Sequence, residues 1–213
     1  LSSSLAGTHN IAIGASNSSL TDVTGNYNVS LGQEAHASLT SGNDNILIGQ
    51  AAGANFTNNT YNIAIGSDTM QNGVTTGDAN IAIGANAGCL LTSGACNVAI
   101  GTDALGAATD QCDVIAIGNG AGNSAITADH NIIMGHAAGD AITSGANNVA
   151  IGQSAFTTAS TGSSNVCMGA ESLYFQTTAS SNVAIGHQAG KSITTGATNT
   201  CIGYAAGDAF PIP

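Results

Sequence analysis

The chain has 213 residues, enough for one or two ordinary domains, yet only 6% of them are charged, against about 25% in typical soluble proteins. One lysine (Lys191), no arginine and 12 acids leave a net charge of −11. That balance excludes nucleic-acid binding and an electrostatic hold on anionic lipid, both of which need clustered Lys and Arg, and no apolar run approaches the roughly 20 residues of a membrane span.

From the N-terminus onward one five-residue phrase recurs: Asn, apolar, small, apolar, Gly. The closing glycine stands at Gly14, Gly32, Gly49, Gly66, Gly84, Gly101, Gly118, Gly135, Gly152, Gly169, Gly186 and Gly203, a spacing of 17 with 18 at two places. The opening residue is Asn10, Asn28, Asn45, Asn62, Asn80, Asn97, Asn131, Asn148, Asn165, Asn182 and Asn199, with Val114 in that place in the seventh unit. Alternating β-branched residues such as Ile63/Ile65 and Val183/Ile185 predict a strand in every phrase, and their regular spacing argues against disorder. A small-residue stretch follows, often ending in Ala-Gly, as in Gln50-Ala51-Ala52-Gly53. An apolar residue comes about seven places after the closing glycine (Leu39, Phe56, Leu91, Ile142, Ile193), and then a turn such as Thr92-Ser93-Gly94. Each unit therefore predicts strand, turn, short strand, turn.

Seventeen residues are too few for a propeller blade or a helical repeat and suit one coil of a parallel β-solenoid. The expected fold is all-β: a single solenoid domain over residues 1–213 with about twelve coils, closed by a terminating segment at 208–213 whose prolines would stop strand addition. The chain opens at Leu1 and is read as a fragment or processed product. Coils about 4.8 Å apart stack identical residues, so the asparagines should form an amide ladder, the glycines the corners, and Ile and Val ladders the thin interior. The alternation has a further consequence. If Ile faces inward, a row of Ala lies outside; if Ala faces inward, two rows of Ile lie outside. Either way an uncharged apolar strip runs the length of the rod, and such strips mark interfaces.

The units Asn182–Gly196 (NVAIGHQAGKSITTG) and Asn199–Gly207 (NTCIGYAAG) resemble the repeats of phage tail-fibre proteins and the head repeats of YadA-type trimeric adhesins. The resemblance covers nearly the whole chain. It implies a left-handed parallel β-roll with three chains per fibre, acting as a stalk or a binding head. The period here is longer than in those heads.

Candidate sites are few. His9, His36, His130, His136 and His187 read as surface residues; His136 and His187 share a column but stand three coils apart, roughly 14 Å, too far to share a metal. No metal or other cofactor is expected. Cys167 and Cys201 share a column two coils apart, about 9.5 Å, beyond disulfide reach, whereas Cys96 and Cys112 lie on adjacent coils and are a candidate bridge. Asn17, Asn55 and Asn58 sit in glycosylation sequons; the Asn28 sequon belongs to the ladder. Met70, Tyr174 and Phe175 stand where the Ala-Gly pattern is broken by larger side chains, and are candidate binding turns. A Thr column (Thr40, Thr57, Thr75, Thr92, Thr109, Thr143, Thr177, Thr194) raises ice binding as an alternative, although Thr is followed by Ser or Thr and then a Gly turn, as at Thr92-Ser93-Gly94, where an ice face would alternate Thr-x-Thr.

The function expected from these features is structural and not enzymatic. The chain is read as a self-assembling fibre or adhesin module, extracellular or on a virion surface. Its partners would be copies of itself, as a homotrimer or filament, and a host-surface receptor or glycan. Ice binding and head-to-tail stacking into a surface filament are the alternatives.

Overall fold

A computed structural model describes residues 7–16, 24–72, 77–124 and 126–208. Twelve three-residue strands follow one another: β1 (Ile11–Ile13), β2 (Val29–Leu31), β3 (Ile46–Ile48), β4 (Ile63–Ile65), β5 (Ile81–Ile83), β6 (Val98–Ile100), β7 (Ile115–Ile117), β8 (Ile132–Met134), β9 (Val149–Ile151), β10 (Val166–Met168), β11 (Val183–Ile185) and β12 (Thr200–Ile202). They form one parallel sheet in sequential order, the wall of a β-solenoid of about eleven turns with about 17 residues per turn. The register is fixed residue for residue, as in Ile63↔Ile81, Ala64↔Ala82 and Ile65↔Ile83.

Each coil has a single strand. The second, shorter strand expected after the Ala-Gly element is absent; that stretch is a run of turns among the described residues. Its backbone still bonds along the rod, with Gly122 N–H donating to Ala138 O at 2.9 Å and Thr143 N–H to Ser160 O at 2.9 Å. The chain bends too tightly there for extended geometry. In coil after coil the residue two places after the corner glycine and the one four places after it take left-handed φ, as at Asp103 (56°) and Leu105 (51°).

The corner glycines are required by close approach. Gly118 has φ of 138°, and a Cβ there would lie 2.5 Å from Gly135 O in the next coil. Bare backbone stacks on bare backbone, and no side chain fits between.

The expected Ile and Val interior is not what forms. The strand centres point inward, and Ala64, Ala82, Ala116, Ala150 and Ala184 are fully buried. The flanking Ile and Val point out. The reason is thickness: the turn side sends bulk such as Phe56 or Leu105 across the interior, and in most coils a small residue stands opposite it, with Leu47 and Ile133 the larger exceptions. The turn-side bulk comes from either of two positions. Where the residue four places after the corner is Gly (Gly53, Gly88, Gly139, Gly190), the bulk sits three places later at Phe56, Leu91, Ile142 and Ile193. Where it is large (Leu105, Phe156), the later position is Ala108 or Ala159. The two share one space: a Cβ on Gly139 would lie 2.9 Å from the Ile142 Cδ1.

A buried amide relay holds the opposite corner. Asn148 Oδ1 accepts from the Asn165 backbone N–H at 2.9 Å and from Asn165 Nδ2 at 3.1 Å, while Asn148 Nδ2 donates to Gly162 O at 2.9 Å. Asn45, Asn62, Asn97, Asn131 and Asn182 are equally buried. At the two ends Asn10 and Asn199 are half-buried. Val114 breaks the relay: its N–H donates to Asn97 Oδ1 at 3.0 Å, but it carries no acceptor for the Asn131 N–H.

Candidate functional site

Two apolar rows lie on the outer surface of the sheet. One runs from Ile11 through Val29, Ile46 and Ile63 to Val183, and the other from Ile13 through Leu31, Ile48 and Ile65 to Ile202. Their side chains are half-buried or exposed, rising to 65% at Ile13 and 66% at Ile202, while the centres between them are buried. Strand geometry spaces neighbours about 4.8 Å along the rod and about 6.7 Å across it. No charged residue lies in any strand. The footprint is roughly 50 Å by 10 Å, about 500 Å², at the upper end of what monomers expose as one patch.

The column before the opening Asn edges this face. His9 and Tyr27 stack there, with ring centroids 4.8 Å apart, and His130 Nε2 lies 3.8 Å from Asp113 Oδ2. One residue earlier runs a second side-chain ladder that the sequence analysis missed. Asn43, Asp78, Asp129 and Ser180 accept from the backbone N–H of Asn26, Thr60, Cys112 and Ser163 in the preceding coil, at 2.7 to 3.0 Å. Short polar residues two places before the phrase were the available signal.

The other candidates separate cleanly. Met70 is buried, with φ of 50°, and supplies the coil's bulk; it is not a surface binding residue. Tyr174 and Phe175 do reach the surface, at 4.9 Å edge to face. Beside them lies Lys191, whose ammonium is 5.7 Å from the Tyr174 ring and donates to Glu171 Oε2. Gln188 Nε2 donates to the same oxygen at 2.9 Å. The hydrogen bond from Lys191, then that from Gln188, holds the Glu171 carboxyl below its usual range, and Glu171 holds Lys191 above its own.

His36 corrects the surface reading of the histidines. It is fully buried edge-on to Phe56, and neither ring nitrogen has a partner; burial lowers its pKa to about 3. The other four are exposed. Cys96 and Cys112 are free thiols, and Cys112 Sγ accepts from Ala95 N–H at 3.4 Å, serving the second ladder instead of a bridge. Cys167 and Cys201 are buried at strand centres, and burial raises both thiols. Asn55 and Asn58 are exposed, while Asn17, Thr75 and the segment after Asp208 lie outside the described residues. The Thr hydroxyls are committed to the fold: Thr40, Thr92 and Thr143 each donate to the carbonyl of the next coil at 2.9 to 3.0 Å.

Among the described residues no group of three or more His, Cys, Asp or Glu is placed to hold a metal ion, and the cleft between Phe56, Met70, Leu91 and Thr92 has no water-sized space. The outer face of the strands is thus the most extended feature of the rod that the fold itself does not need. Compared with protein-family models, curated proteins and solved structures, the chain matches none.

Proposed function

We propose that the chain is a structural module that associates with copies of itself through the double apolar row, as the shaft or head of an extracellular or virion-surface fibre. One observation carries this reading: large β-branched residues occupy the outward positions in coil after coil, although nothing inside the coil requires them. Two such faces brought together bury roughly 1,000 Å², the lower bound for a specific interface. The near-absence of charge removes the repulsion and desolvation cost that would oppose contact along a whole face. The resemblance to three-chain fibres makes a trimer the expected stoichiometry. A single lysine, with almost no site for trypsin-like proteases, suits an exposed setting.

Light scattering during size exclusion, across a concentration series, tests this reading. The expected result is a discrete multiple of the 20.6 kDa chain that survives dilution and falls to one chain in the Ile100→Lys/Ile117→Lys variant, with the β-sheet circular dichroism kept. A wild-type monomer would overturn the reading.

A further inference from the structure

The exposed aromatic residues are unevenly placed. Tyr27 and Tyr61 stand in the early coils and Tyr174, Phe175 and Tyr204 in the last three; the described coils between carry none on their surface. Among the described residues the C-terminal group alone is joined to both an ion pair and an amide side chain. Tyr204, 78% exposed, stacks on His187 with centroids 5.4 Å apart and planes 11° from parallel. His187 directly precedes Gln188, whose Nε2 donates to Glu171 Oε2 at 2.9 Å. Glu171 holds Gln188 and Lys191, and Lys191 lies over Tyr174, beside Phe175. The chain's one basic residue is therefore built into a continuous surface patch, between aromatic rings at either edge.

We propose that this patch binds a neutral pyranose saccharide. The rings of Phe175, 47% exposed, and Tyr204 offer flat apolar faces matching the C–H face of a sugar ring, and Tyr-type rings bind with little loss of rotamer freedom. Between them lie a carboxylate acceptor, an amide that both donates and accepts, and an ammonium donor, the inventory that vicinal hydroxyls require. Hydrogen bonds among Glu171, Gln188 and Lys191 already fix these groups, which lowers the ordering cost of binding. An acidic sugar is disfavoured twice: Glu171 neutralises Lys191, and the whole chain carries −11. The proposal does not depend on the self-association reading, because the patch sits on the turn side and not on the strand face.

The test is saturation-transfer NMR on the full chain, irradiating aromatic protons. The probes are methyl glycosides of glucose, galactose and mannose, with N-acetylglucosamine, and sialic acid as the acidic control. The expected result is transfer to the ring C–H protons of at least one neutral probe. It should fall about ten-fold in Tyr174→Ser/Phe175→Ser, as for loss of a binding hot spot, and stay unchanged in Tyr61→Ser, which removes a still more exposed ring elsewhere. Absence of transfer, transfer to sialic acid alone, or transfer that survives the double substitution would overturn the proposal. So would a change in the native mass of Tyr174→Ser/Phe175→Ser by light scattering, which would make the rings a contact between copies.

Discussion

The strand side and the turn side of the rod obey different rules. On the strand side the residues vary little: an Asn in eleven of twelve units, an outward Ile or Val, an inward residue that is small except at Leu47 and Ile133, an outward residue that is mostly Ile, and a Gly in every unit. On the turn side the interior bulk is Phe56 in one coil, Leu105 in another and Ile142 in a third, from two different positions. A dozen copies in one chain are a dozen solutions to the same problem. Where a buried amide or a backbone contact must be matched, the residue type is fixed; where only volume must be matched, it is free. The outward Ile and Val are the exception. They recur in most coils, with Leu31, Met134, Met168 and Thr200 as the departures, although they lie outside the buried interior, and that recurrence is what the proposed self-association would explain.

Substitutions can break this contrast. The largest effect is expected on the fixed side. Asn148→Leu removes the acceptor of the buried Asn165 N–H and the donor to Gly162 O. Two orphaned groups should cost about 4 kcal/mol by urea denaturation; a cost under about 1 kcal/mol would mean that the relay carries no stability. On the free side, Ile142→Ala should cost about 3 kcal/mol, and adding Gly139→Leu should recover most of it, because Leu105 and Phe156 already fill the interior from that position. A double-mutant cycle that shows no favourable coupling would refute the shared-space reading.

Protonation sharpens the contrast further. His36 binds its proton at about 3 when folded and near 6.5 when unfolded. Its contribution to stability is thus fully present above pH 6.5 and is lost as pH falls toward 3. Stability should drop by up to about 1.4 kcal/mol per pH unit in that window. That slope should disappear in His36→Phe, and its persistence would assign it to other groups. The smallest change expected is a gain. Val114→Asn restores an acceptor for the Asn131 N–H and should raise stability by about 1 kcal/mol, measured by the same denaturation.

The period, the parallel stacking and the positions of all twelve strands were legible from spacing alone, because a coil of fixed length stacks like on like. Which way Ile63 and Ile65 point was not. Alternation determines that two faces differ, and the choice between them depends on how much volume the turn side sends inward. That volume comes from residues such as Leu105 and Phe156, which look like surface turn positions in sequence because left-handed φ at a non-glycine is unusual. Met70 and His36 were misread for the same reason. The paired roles of Gly139 and Ile142 emerge only when both are seen to occupy one space. The Lys191, Glu171 and Tyr174 cluster is hidden because its members are 3 to 20 residues apart in sequence and meet only across stacked coils.

The sameness of the coils also creates a problem of alignment. Two copies pressed together along their apolar rows could slide by one coil and lose the contacts of only one strand in twelve. The energy of association is then almost periodic in the offset, like two rulers with the same graduations, and the rows alone choose no zero. What marks a zero must be what does not repeat: the Val114 break and the units that are one residue longer. If copies do associate through these rows, such irregularities would be what fixes their alignment.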